Sequence, residues 1–458
     1  MTRRPRPPIA GLVGLAVIFG ACSIGGTENT SAGDESAVAQ QDAETSEVET
    51  ESDAPEPSPS TSEAPAPESS VPDEVVPSVA IDALSQLEGE IVLIDDGEQV
   101  VITSPDGTSS RVLSNPRSSS NSQPTWSSTG DRVAWASFGP DGSTLSIGAR
   151  DGSELVEVPA ASPAFYLSWS PDDAWIGGLR PTAGGMEMFV ADTDAGSDRQ
   201  VSQAQPFYFD WVDGDGIVAA LGSQLIVDIS ASNSTNPLRR PLQDPLGAFQ
   251  APTVLPNGDV LAAQIVNGEN ALVRLSGNVA QVIATADAPM LIAASPDGQQ
   301  VAALVAPTLG GQQAESEVIQ FQFDEPVELE NERVTVIDLA TGDVLTRPEQ
   351  EVVAFSWSPD STTLSLLSID GSSLRWSFST PEGDLEGAQF FPSARFTQRY
   401  LPFFDQYNLS STTWSPTSDA IVFSGTVGDE SGVFVDLISD DAGPARITEG
   451  EIAFWSPN

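Results

Sequence analysis

Two acidic runs and one aromatic segment are the places in this chain where residue types and spacing could support chemistry. The runs Asp192-Thr-Asp194-Ala-Gly196-Ser-Asp198 and Asp213-Gly-Asp215 have the oxygen-rich make-up of calcium loops. A calcium ion takes six to eight oxygens, usually with a bidentate Glu at the twelfth loop position, and neither run supplies that Glu. Both fall where a hairpin is due, and Asp-Gly is common turn chemistry. Turn residues are therefore expected there, and no metal site. The segment Gln389–Tyr407 is different: it holds seven aromatic side chains and two Arg in nineteen positions, in a chain with 7% aromatics. Arg and aromatic side chains are the groups enriched at binding hot spots. Arg395, Arg399, Tyr400, Phe403, Phe404 and Tyr407 are the candidate binding residues. One arrangement turns Arg395, Arg399 and Tyr407 outward and some Phe inward; another folds the whole loop back as an apolar cap on its own sheet.

Composition closes off much catalysis. The chain of 458 residues has no His, and all 18 of its basic residues are Arg. Without His there is no Ser-His or Cys-His relay and no imidazole metal site. Without Lys there is no Schiff base and no P-loop lysine. One Cys allows neither an intramolecular disulfide nor a thiolate zinc cluster. Carboxylates, Tyr, Ser and Arg leave room for glycosidase-type or calcium-assisted chemistry. The formal charge of −48 repels nucleic-acid phosphates and anionic headgroups, so the folded part is expected to bind neither.

The N-terminus carries an address. Arg3, Arg4 and Arg6 precede an apolar stretch from Ile9 to Ala21, too short for a membrane-spanning helix but suited to a signal peptide over residues 1–21. Phe19-Gly20-Ala21-Cys22 resembles a bacterial lipobox, which implies that Cys22 is lipidated and becomes the mature N-terminus. Residues 22–79 follow, rich in Ser, Glu, Asp, Pro, Ala and Thr and free of Arg. Such a stretch buries too little apolar surface to offset its ordering entropy, so a disordered tether is expected. Its reach is roughly 40 Å, and more once charge repulsion and Pro stiffen it.

From residue 80 to 458 one phrase recurs. Trp126, Trp169, Trp211, Trp357, Trp414 and Trp455 each open a Ser-Pro-Asp-like turn, and Val254 and Ala294 head two copies that keep the turn without the ring. Successive steps are 43, 42, 43, 40, 63, 57 and 41 residues. A period of about 40–45 residues is that of four-stranded propeller blades. Pro presets φ in each turn and Gly or Asn accepts positive φ. Alternating strands such as Arg132-Val-Ala-Trp135 follow, and no long 3.6-residue apolar period suggests helix. The sequence predicts an all-β propeller of eight blades, or seven if the degenerate copies merge. Strands near Ile91–Ile94 at one terminus would pair with Trp455 at the other and close the ring. The two long steps mark insertions near 307–332, acidic and read as a solvated loop, and near 380–410.

The Trp-Ser-Pro-Asp-Gly turn with its following strand resembles the TolB-type repeat, kin to the WD repeat, over about residues 85–458. The resemblance implies a propeller and a habit of binding proteins. The Trp residues themselves read as wedges between blades. The Asp box of propeller sialidases is not matched: Ser104-Pro-Asp106-Gly107 has its Gly one place early, and no Trp follows. The expected protein is a monomeric, lipid-anchored, extracytoplasmic binding scaffold without cofactor or enzymatic activity, its partner an envelope or extracellular protein. The alternative is a glycan or peptide hydrolase or lyase working through carboxylates in the propeller channel.

Overall fold

Turn chemistry builds each repeat. The Ser that follows the Trp-equivalent position is fully buried in the copies at Ser127, Ser170, Ser295, Ser358 and Ser415. Its Oγ accepts the N–H that opens the next strand, as from Trp175 to Ser170 at 3.0 Å and Thr363 to Ser358 at 2.9 Å. The same hydroxyl donates to the turn carboxylate, Asp172 at 2.7 Å, Asp297 at 2.6 Å and Asp360 at 2.6 Å. A Ser-x-Asp clasp therefore fixes the hairpin from both sides, and a Ser or Thr hydroxyl is the shortest group that can do so.

The computed structural model describes residues 79–115, 120–204, 207–221, 224–232, 240–241, 251–277, 279–305, 326–331, 333–347, 351–438 and 443–458. The expected signal peptide, Cys22, nearly all of the expected tether and most of the 307–332 insertion lie outside them. Among the described residues the strands form seven antiparallel-built sheets. Typical is the order Ser120–Trp126, Arg132–Gly139, Gly142–Ala149, Leu155–Ala160, from inner to outer strand. The widest sheet has seven strands and holds two repeats, joined at the pairs Phe391 with Thr426 and Pro392 with Gly425. The fold is a β-propeller. Helix among the described residues is confined to Val79–Leu84 and to the second insertion, and no helix there is long and apolar enough to cross a membrane.

The ring closes as the sequence predicts. Ile91–Ile94 pairs antiparallel with Ile452–Trp455, Ile91 opposite Trp455 and Ile94 opposite Ile452. Val100–Thr103 and Ser110–Val112 continue the sheet outward. The Ser456 hydroxyl accepts the Glu90 N–H at 2.9 Å, and the Glu90 carboxylate holds Arg111 at 2.6 Å and Arg150 at 2.5 Å. Burial alone would raise Glu90, but these two guanidinium groups outweigh it and hold its carboxyl below the usual range.

Five of the six repeated indoles key a repeat to the one before it. Trp169 Nε1 donates to the Thr125 carbonyl at 3.2 Å, Trp211 to Ser168 at 3.3 Å, Trp357 to Ala293 at 3.0 Å and Trp126 to Phe454 at 3.4 Å. In each case the acceptor is the residue before the Trp-equivalent position of the preceding repeat. Trp414 keeps the pattern through the Ser356 hydroxyl at 3.1 Å. The wedge role expected of these rings is what the packing shows.

The first insertion departs from expectation where it can be seen. Its last part is not a solvated loop: Val327–Glu328 adds a parallel strand beside Ala284 and Thr285, and Leu329 is buried. Two backbone pairs and one apolar anchor give the returning chain something better than water.

Trp455 is buried at the seam and its indole N–H donates to the Glu88 carbonyl at 3.0 Å. Trp455→Ala should cost about 3–5 kcal/mol, the range for a fully buried large ring. The half-buried Trp357 should cost less under the same change, and urea unfolding of both variants checks the order.

Candidate functional site: a segment across the propeller axis

The strand Gly383–Pro392 delivers the chain to the end of the ring where inner strands begin. There the chain turns inward as Phe396–Tyr400, Leu401–Phe403 and Phe404–Tyr407, three short helical pieces of π, 3₁₀ and α type. Pro402 suits the first turn of the middle piece, where no N–H is needed. None of the three is long enough to be stable alone, so tertiary contacts must hold the segment.

Those contacts come from all round the ring. Gln406 Nε2 donates to the Phe209 carbonyl at 2.9 Å, and Gln406 Oε1 accepts the Phe209 N–H at 3.1 Å, as a neighbouring strand would. Tyr166 Oη donates to the Gln406 carbonyl at 3.1 Å, and Tyr407 Oη donates to the Phe165 carbonyl at 2.8 Å. Asn408 Nδ2 donates to Phe355 at 2.8 Å, and Thr125 Oγ1 donates to Ser410 at 2.7 Å. The Trp455 N–H reaches the Thr412 carbonyl at 2.8 Å, and the Ala251 N–H reaches Asp405 Oδ2 at 3.4 Å. Phe404–Tyr407 also packs against the inner strand Met290–Ala294. Inner strands of so many sheets meet only at the axis of a propeller, so residues 404–412 fill the channel.

The six candidate residues divide sharply. Tyr400, Phe404 and Tyr407 are buried, with Tyr400 against Phe454, Phe404 against Phe355 and Tyr407 edge-on to Tyr166 at 5.6 Å. The outward placement expected of Tyr407 is thus corrected: its ring completes the axial core and its hydroxyl has a carbonyl partner. Arg395 is mostly buried too. It strips to a strap, pairing with Glu98 at 2.6 Å and Glu451 at 3.2 Å and donating to the Asn121 carbonyl at 2.9 Å. Arg399 and Phe403 stay exposed. A cap confined to its own sheet is likewise corrected, because the segment bridges sheets across the ring.

Sequence reasoning missed Asp210. In the other copies the residue before the Trp-equivalent position is Thr125, Ser168, Thr253, Ala293, Ser356, Thr413 or Phe454; only here is it ionisable. The next copy lacks its indole, and the Val254 N–H donates to Asp210 Oδ2 at 2.7 Å in the place an indole would take. Burial pushes Asp210 up to about 7, against two backbone N–H bonds that lower it. Burial likewise pushes Asp405 up to about 6. Among the described residues no Arg pairs with either carboxyl. Such a pair could serve acid–base chemistry. Yet neither the cleft of about 230 Å³ at the turn face, floored by Asn408–Thr412, nor one of about 450 Å³ beside Leu329 reaches them.

The acidic runs serve turns. Asp192 Oδ1 accepts the N–H groups of Asp194 at 2.9 Å and Ala195 at 2.7 Å, and Asp213 Oδ1 those of Asp215 at 2.8 Å and Gly216 at 2.6 Å. Asp198 is turned away to an ion pair with Arg180.

No family model matches the chain, and no curated protein matches it in sequence. Among solved structures, the eukaryotic initiation factor covers 81% of this chain and 99% of its own length at 13% identity and a TM-score of 0.50. The C-terminal WD40 domain of Sif2 covers 78% and 94% at 12% identity, TM-score 0.49. TolB from Acinetobacter baumannii covers 68% and 67% at 15% identity, TM-score 0.36. At such identities the likeness is one of fold alone, the β-propeller.

Gln406→Ala leaves the Phe209 N–H and carbonyl buried without partners. Each orphan costs about 1–3 kcal/mol, so a loss of roughly 2–6 kcal/mol is expected in chemical denaturation, and Gln406→Glu should do no better.

Proposed function

We propose that this protein is an extracytoplasmic, lipid-anchored binding scaffold that presents one face of its propeller to an envelope protein or extracellular ligand. The observation that carries this reading is the filled axis. A propeller whose channel is occupied by its own chain has its faces left to offer, and the same segment leaves Arg399 and Phe403 exposed where it crosses one of them. Phe391, 52% exposed at the end of the strand feeding that crossing, adds a second aromatic ring. Exposed aromatics beside a guanidinium have the composition of a binding hot spot. In a chain of net charge −48 with no Lys, an exposed Arg is also scarce, and it gives a partner one of few cations to pair with.

A second reading has one observation behind it. Asp210 and Asp405 are two carboxyls of raised affinity for protons close to the axis, which suits a carboxylate-dependent hydrolase or lyase. Access weighs against it, since neither of the two clefts described above is lined by either carboxyl. Turnover of a glycan or peptide library by the purified protein, abolished by Asp210→Asn or Asp405→Asn, would favour catalysis over binding.

The primary reading is tested by crosslinking capture from native membranes. Arg399→Ala/Phe403→Ala should lose a specific partner that the wild type retains, with the thermal midpoint unchanged because neither side chain is in the core. Equal capture by both proteins would move the interface elsewhere on the ring.

Anchoring has its own test. Cys22→Ser should shift the protein from the membrane fraction to the soluble one and remove incorporation of labelled fatty acid. Unchanged fractionation would leave the N-terminus as an ordinary export signal.

A further inference from the structure

We infer that the axial segment is a proton-dependent seal: a proton on Asp405 holds it seated, and losing that proton favours its release from the channel. The geometry puts both carboxyls at one seam. Asp405 lies in Phe404–Tyr407 and is met by the Ala251 N–H at 3.4 Å. Asp210 lies in Phe207–Trp211 and is met by the Val254 N–H at 2.7 Å. Residues 251 to 254 therefore face one acid from the segment and one from the ring. This is also the sector where the girdle of indole donors is interrupted, since Val254 stands in a Trp position.

The groups that act on the two acids are themselves uncharged when buried. Tyr208 interacts with Asp405 and Tyr166 with Asp210; both phenols are kept protonated by burial. Tyr407, on the helical piece that carries Asp405, is buried and protonated as well. The nearest cation on the segment, Arg399, is exposed and acts on Tyr407 instead. Among the described residues no cation offsets a negative charge on either Asp. Ionisation of Asp405 held like this is costly, and the cost disappears when the segment that carries it moves into water.

The direction follows from which state binds the proton more tightly. The seated state holds it to about pH 6 at Asp405, which ordinarily titrates near 3.8. Stabilisation of the seated state is complete below the ordinary value and is lost as pH rises through the seated one, over roughly pH 4 to 6. Between pH 5 and pH 7 Asp405 alone raises the opening equilibrium about tenfold. Release uncovers the backbone groups of Phe165, Phe209 and Phe355 that the segment now satisfies.

Hydrogen–deuterium exchange on the full-length protein tests the seal without any ligand, so its result is independent of partner capture and of turnover. Protection of the amides in 404–412, corrected for intrinsic rates, should fall at least about tenfold from pH 5 to pH 7. Protection in Ile421–Phe423, deep in a sheet, should stay level. Asp405→Asn should flatten the segment's response, and Asp210→Asn, whose carboxyl bonds within the ring, should keep most of it. Equal protection at both pH values in the wild type overturns the proposal. So does a fall that persists unchanged in Asp405→Asn. Should Asp405→Asn fail to fold, the wild-type contrast between the two peptides still decides.

Discussion

An indole N–H reaching back to a carbonyl of the preceding repeat is the contact on which this ring depends. A four-stranded sheet has no intrinsic way to register against the next, because side chains between faces slide more easily than backbone ladders do. The bond from Trp169 to Thr125, repeated from Trp211 to Ser168 and onward, supplies a fixed offset at five of the six repeated Trp positions, Trp455 turning instead to the Glu88 carbonyl. Its geometry needs a large flat donor at the end of each inner strand. The repeat supplies it, and the Ser-x-Asp clasp beside it keeps the Trp from drifting along its strand.

The sector without these indoles shows what they do. At Val254 and Ala294 the sheets meet without the bond, and there the chain uses other means: a carboxylate at Asp210 under the Val254 amide, and a returning strand at Val327–Glu328 laid on the sheet that begins at Thr253. The axial segment presses into the same sector with Gln406 and Asp405.

How much of this could be read from the residues follows from range. Turn chemistry acts within about six residues, so the hairpins, the repeat and the role of the recurring Trp were legible in the sequence. Closure was legible as well, since unmatched strands at one end and a bare Trp-Ser-Pro at the other imply each other. The course of 393–412 was not. Its hydrogen bonds join residues as far apart as Thr125 and Ser410, and no local pattern encodes a partner 285 positions away. Composition flagged the segment but could not say which of its aromatics face inward; burial of Tyr407 is a property of the ring it enters. Asp210 left a fainter mark, one acid in a column otherwise free of charge, visible once the copies are stacked.

The seam has a consequence in time. Glu90 and Ser456, which meet at closure, are 366 residues apart in the chain. Contacts of such sequence separation form late, because the entropy of closing so large a loop is lost before they contribute anything. The sheet carrying Ile91–Ile94 therefore waits with its inner edge bare while every later sheet is assembled. During that interval it offers hydrogen bonds to any extended chain nearby, which makes the earliest part of the propeller its most association-prone part until Ile452–Trp455 arrives. The small guanidinium cluster around Glu90 then acts as a latch that holds the finished circle shut.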